Sequence, residues 1–235
     1  MTAPARAPVR ETTHRLIASR YPPVGVFDDL TADKEELAMA YLLESVTNDR
    51  VAILARRLPL LPESEIVQGV GASMIMAAFL HADEIGGRFT DGRLGAWYAA
   101  LEVETAIAET VHHSTRRLRL SDGGFPSNIQ MRQLVANIDC SLIDIRGQQE
   151  AHAELYEADD YSKSRAFGIG LRWPPSGSGE NGVVYDSVRR AGGTNVCVYR
   201  PSLIQLPVTQ ADHYEYRWDA SGAVTVLKLS NVGAS

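Results

Sequence analysis

Cysteine is nearly absent: Cys140 and Cys197 are the only two in 235 residues. Two thiols can build neither a disulfide framework nor a cysteine metal cluster, and a reducing, cytoplasmic setting is expected. Long apolar runs are missing as well. The longest, Ala72–Leu80, is far too short to span a bilayer, and the opening MTAPARAPVRETTHR lacks the apolar stretch of a secretory signal. No membrane attachment is expected. Basic charge is in deficit, since 23 Lys and Arg stand against 29 Asp and Glu, a net charge of −6. That removes the usual electrostatic footprint of direct nucleic-acid binding. The pairs Arg56-Arg57, Arg116-Arg117 and Arg189-Arg190 are dispersed and read as solvated surface. Familiar motifs fail too. Gly168-Ile-Gly170 lacks the third glycine and the preceding strand of a dinucleotide fingerprint, and PPSGSGENG lacks the Gly-Lys-Ser/Thr ending of a P-loop. No G-x-S-x-G elbow occurs. His112 and His113 cannot point the same way on a helix, so no metal site is expected.

What is present is a core-forming composition, 45% hydrophobic. Helical and extended patterns alternate without a regular βαβ repeat, which predicts α+β around a mostly antiparallel or mixed sheet. Thr31, followed by Asp33, Glu35 and Glu36, reads as the capped start of a helix over Lys34–Thr47, with a second over Asn48–Arg57. GASMIMAAFLHA reads as a buried helix. Leu94–Ala100 is a strand candidate and Val103–Leu118 a clear helix. Cys140–Asp144 reads as a short strand, Asp159–Leu171 as a helix and Pro174–Gly182 as a flexible loop. Gly182–Arg189 and Asn195–Arg200 read as paired strands, as do His213–Asp219 and Ala223–Leu229. The first ten residues are expected to fray, and Leu16–Leu30 to be extended.

Three residues on separate elements stand out. Glu109 shares a narrow sector of its helix with Glu102, Ala106 and His113, beside the apolar stripe Val103, Ile107 and Val111. A glutamate at the edge of a buried face is costly unless paired or functional. An ion pair with Arg88, Arg116 or Arg117 is the plainer reading and, on the helix alone, the favoured one. Arg88 lies among glycines that let a ligand approach the backbone, and its planar fork suits a pyrophosphate; an exposed turn arginine is the commoner case. Ser187 shares a strand face with Val183 and Tyr185 and offers one donor and an acceptor; alone, a solvent-facing serine is the better reading.

Together these segments resemble the RES domain family, named for Arg, Glu and Ser. The likeness runs through GGRFTDGRLGAWYAALEVETAIAETVHH, SLIDIRG, LYEADDYSKSRAFG, GVVYDSVRRAGGTNVCVYRP and HYEYRWD. It spans roughly 67–219, with 1–66 as an N-terminal extension whose helices pack on the core and 220–235 as a final strand and tail. The resemblance places the family's arginine on Arg88, its tyrosine on Tyr98, its glutamate on Glu109 and its serine on Ser187. An N-terminal arginine falls on Arg15 or on Arg20, the latter beside Tyr21. Asp186 and Arg190 depart from the expected Pro or Glu and His, and Asn195 replaces a common Cys.

The resemblance implies a fold similar to that of ADP-ribosyltransferase toxins, with NAD as substrate in the cleft of a split sheet and no bound cofactor. It implies a toxin that cleaves the nicotinamide–ribose bond by hydrolysis or phosphorolysis, neutralised by an antitoxin with a helix-turn-helix domain. Mono-ADP-ribosylation of a cellular protein is the alternative, and a non-catalytic binding module keeping the fold is a third. In the catalytic readings Glu109 stabilises the developing cation. Arg88, with Arg15 or Arg20, holds the pyrophosphate; Ser187 orients ribose or nicotinamide; Tyr98 stacks on nicotinamide. A homodimer is expected more weakly, from the apolar Ala72–Leu80 stretch and the N-terminal helices.

Overall fold

The computed structural model describes residues 4–20, 56–175 and 178–230. Tyr21, the expected helix Lys34–Thr47 and most of Asn48–Arg57 lie outside the described residues. The longest strands are two that the sequence conceals. β1 (Arg6–Ala18) and β3 (Ser127–Asp144) form an antiparallel ladder from Arg6↔Ile143 to Ala18↔Met131. The expected fraying of the first ten residues is therefore wrong from Arg6 onward, and the short strand expected at Cys140–Asp144 is only the end of a long one. Polar side chains on this ladder are met across it. Arg10 Nε donates to Asp139 at 2.8 Å, Thr12 Oγ1 bonds Asn137 at 2.8 Å, and Gln133 Nε2 lies 2.8 Å from His14 Nδ1. Such cross-strand pairs stabilise a sheet where hydrophobic alternation is weak.

Five further strands complete the sheet: β2 (Trp97–Ala100), β4 (Gly182–Asp186), β5 (Thr194–Val198), β6 (Thr209–Trp218) and β7 (Val224–Leu229). Their order is β1-β2-β5-β4-β3-β6-β7, and the extra β1–β3 pairing closes five of them into a ring. All pairs are antiparallel except β3–β4, which meet in parallel at Ile143↔Val183 and Asp144↔Val184. The β1–β2 contact is the single pair His14↔Ala100. The sheet is thus split. A broad half, β1-β3-β6-β7, and a narrow half, β2-β5-β4, touch at two corners. The class is α+β with a mixed sheet, as the sequence predicts.

Three α-helices occur among the described residues: α1 (Ala72–Leu80), α2 (Val103–Arg119) and α3 (Ser162–Arg172). The narrow half is covered on both faces. Val184, Val196 and Val198 face α1 residues such as Ile75, Met76 and Phe79, while Val183, Tyr185 and Cys197 face Phe89, with Phe167 and Leu171 of α3. This is the period-2 alternation of a strand buried on both sides. α1 spends its apolar surface here, so Ala72–Leu80 is core and supplies no face for a dimer. α2 lays Ala106, Ile107 and Val111 against Leu16, Met131, Tyr214 and Tyr216 of the broad half. Two polar contacts fix it there, Thr110 Oγ1 to Tyr216 Oη at 2.9 Å and Trp218 Nε1 to Thr115 Oγ1 at 2.8 Å. α2 spans the junction of the two halves and carries Glu109 there, half-buried.

Candidate active site

Glu109 is half-buried on α2, and its partners come from the narrow half of the sheet. Ser187 Oγ donates to Glu109 Oε1 at 2.7 Å, and Asn195 Nδ2 donates to the same oxygen at 2.8 Å. The second oxygen, Oε2, has no hydrogen-bond partner among the described residues. Neither does the expected ion pair form: no salt bridge to Glu109 is present among them. Polar donors, rather than an arginine, hold the carboxylate.

Ser187 lies one residue beyond β4, where the chain leaves the strand for the turn to β5. Its N–H donates to Gly193 O at 2.8 Å. Its hydroxyl oxygen accepts from the backbone N–H groups of Arg189 at 3.0 Å and Arg190 at 3.1 Å. One proton and two lone pairs are all a serine hydroxyl has, and here all are used.

Arg88 is buried, only 7% exposed, and is not the solvent-facing turn residue that local sequence favours. Its Nη1 donates to the carbonyls of Leu155 at 2.9 Å and Glu157 at 2.8 Å, and its guanidinium lies 4.3 Å from the Tyr161 ring centroid. Its Nη2 is buried without a hydrogen-bond partner. Arg189 reaches the same segment, donating to Ala158 O, while its Nε is also buried and unpartnered. The expectation that Arg189 is solvated surface does not hold: its side chain is 13% exposed. A buried guanidinium nitrogen with nothing to bond is costly, and it is a ready donor for an anion.

Tyr98 supports the Arg88 turn. Its hydroxyl accepts from Phe89 N–H at 2.8 Å and lies 3.1 Å from Thr90 Oγ1. Burial raises its phenol pKa well above the usual range, so it stays protonated. Arg15 is attached to the same strand, donating from Nη1 to Tyr98 O at 2.8 Å with its guanidinium 5.5 Å from the Trp97 ring. Burial lowers its pKa to about 10, which still leaves it charged at neutral pH. Arg20 sits exposed in the turn after β1.

Two groups tie these residues into one region. Tyr185 packs edge-on against Phe89 at 4.9 Å; burial first, and then the Glu109 charge, raise its pKa, while Arg88 opposes them. His113, one turn beyond Glu109, has its pKa lowered to about 4 by burial and then by Arg189, Arg88, Arg117 and Arg116. The structure thus gathers Arg88, Glu109 and Ser187 from three elements, with Tyr98 behind the Arg88 turn. Sequence reasoning named Asn195 only as a departure from the family's Cys and Arg189 only as surface, and gave neither a place in the site. A lone Asn within the apolar strand TNVCV was the available signal for the first. Among the described residues no cluster of His, Cys, Asp or Glu could hold a metal ion, and no helix is long and apolar enough to cross a membrane.

The model of the RES domain matches residues 66–219. The protein y4oC of Sinorhizobium fredii (strain NBRC 101917 / NGR234) is 27% identical over 230 residues, covering 96% of this chain and 90% of that protein. Among solved structures, the M. tuberculosis MbcT–MbcA toxin–antitoxin complex aligns with a TM-score of 0.45 at 15% identity, covering 88% of this chain and 86% of that one.

Proposed function

The chain belongs to the RES domain family, and from that premise we propose that it is a toxin that consumes NAD by cleaving the nicotinamide–ribose bond. One observation carries the reading: a half-buried carboxylate, Glu109, is held at one oxygen by two donors and left open at the other. The nicotinamide of NAD is already a cationic leaving group, so its departure needs no strong acid. The bonding pair leaves with the ring nitrogen, and positive charge develops across the anomeric carbon and ring oxygen. The open Oε2 of Glu109 accepts from a ribose hydroxyl and sets negative charge beside that cation. Preorganised charge of this kind is the largest single term in many enzymes.

The buried Arg88 Nη2 and the positive surroundings of His113 suit the pyrophosphate. Water then attacks the anomeric carbon and loses its proton, giving ADP-ribose, nicotinamide and one proton. Phosphate in place of water gives ADP-ribose 1″-phosphate, and a protein side chain gives mono-ADP-ribosylation. The three outcomes share the site and differ in the acceptor. A partner antitoxin with a helix-turn-helix domain, occluding the cleft with an acidic or apolar segment, completes the reading.

The test is incubation of the purified chain with NAD in buffer alone, with inorganic phosphate, and with cell lysate, followed by mass spectrometry of nucleotides and proteins. Release of nicotinamide together with one of the three products is expected. Intact NAD in all three arms overturns the proposal.

A further inference from the structure

We infer that Asn195 is a positioning residue that fixes the Glu109 carboxylate, so that only Oε2 is presented to a substrate. The inference rests on the NAD-cleaving reading for its kinetic consequence but not for its geometry. Asn195 is 3% exposed on β5, in register with Tyr185 of β4 and Ala100 of β2. A central strand flanked on both sides is among the most rigid places in the fold. An asparagine there costs free energy unless its amide is satisfied, and the partner it finds is Glu109 Oε1 at 2.8 Å. Its neighbours on the strand, Val196, Cys197 and Val198, are fully buried and apolar. The polar side chain is therefore an exception beside three apolar neighbours, and its hydrogen bond goes to the candidate catalytic group.

The second donor to Oε1 behaves alike. The Ser187 hydroxyl gives its only proton to Glu109 and accepts from the Arg189 and Arg190 amides. With that capacity filled, Ser187 acts through Glu109 and not on a ligand. Two donors on one oxygen, from the β5 strand and the β4–β5 turn, set the carboxylate torsion. A glutamate on a helix otherwise samples several rotamers, and a carboxylate free to turn loses the preorganisation on which its effect depends.

The experiment compares Asn195→Ala, which removes the N–H donor without adding a charge beside Glu109, with Asn195→Ser, which retains a hydroxyl donor and keeps the test alive if Ala does not fold. The kinetic readout is kcat against KM for NAD. Asn195→Ala is expected to lower kcat by about ten- to a hundredfold, the range for losing one hydrogen bond to a charged group, with KM within about twofold. Asn195→Ser is expected to lie between Ala and the wild type. The second readout needs no turnover: the carboxyl 13C resonance of Glu109, assigned by its loss in Glu109→Gln, is expected to move in both variants. Folded variants with wild-type kcat and an unmoved resonance overturn the inference, as does a raised KM with unchanged kcat. If the wild type leaves NAD intact under every condition, the proposed function falls, and the resonance alone decides whether the clamp exists.

Discussion

At the scale of single residues, charge placement carries the weight. Glu109→Gln is nearly isosteric and can still accept from Ser187 and Asn195, yet it removes the charge facing the developing cation. It is expected to lower the rate of NAD cleavage by about a hundredfold or more while leaving the melting temperature within a few degrees. Nicotinamide release at the wild-type rate from a folded variant would refute the role. His113 supplies a pH-dependent test. Its pKa in the folded chain is lowered to about 4 by burial and nearby arginines, below the ~6.5 of a free imidazole. Between those values the unfolded chain binds a proton that the folded chain refuses. This group therefore makes stability fall as the pH drops below about 6.5 and stops doing so near 4. The drop in melting temperature between pH 7.5 and pH 5 is expected to be smaller in His113→Gln; equal drops would refute the assignment. Arg88, Glu109 and Ser187 were legible because each matches a segment of the family pattern. Asn195 was legible only as a departure from the family's Cys; its contact with Glu109 was not, because one polar residue on a strand leaves no periodic trace and its partner lies 86 positions away.

At the scale of elements, α2 was readable because its buried stripe repeats at the helical period. β1 was not, because burial touches it only at Val9, Thr13 and Leu16, and its polar side chains are satisfied by β3, which no local window contains. β3 was cut short for a related reason: its middle, Gln130–Gln133, mixes polar and apolar residues whose burial depends on β1 and β6. α3 offers a matched test of packing against the site. A Cβ on Gly168 would lie 2.1 Å from Phe89 O and 2.7 Å from Phe89 Cα, the backbone next to Arg88, whereas one on Gly170 would meet nothing within 4 Å. Gly168→Ala is expected to destabilise the fold by roughly 1–3 kcal/mol through overpacking and to weaken NAD binding by displacing the Arg88 turn. Gly170→Ala is expected to stabilise it by roughly 0.5–1 kcal/mol, because alanine costs less backbone entropy in a helix. Thermal melts of the two variants check this; changes of the same sign would contradict the packing described.

At the scale of the whole molecule, β1 and β3 join regions more than a hundred residues apart. Deleting residues 1–18 would leave one edge of β3 unpaired along Met131–Ile143. The shortened chain is expected to be insoluble or to melt well below the full one, and a cooperative transition at the wild-type temperature would show β1 to be dispensable. The spread of the Glu109 clamp along the chain bears on synthesis. The carboxylate emerges from the ribosome early, but Ser187 and Asn195 follow it by 78 and 86 residues. A nascent or prematurely terminated chain ending before Ser187 carries Glu109 without either donor, and one ending before Asn195 lacks the second. On the NAD-cleaving reading proposed above, the clamp that the reaction depends on is completed only once β4, its turn and β5 have all been made.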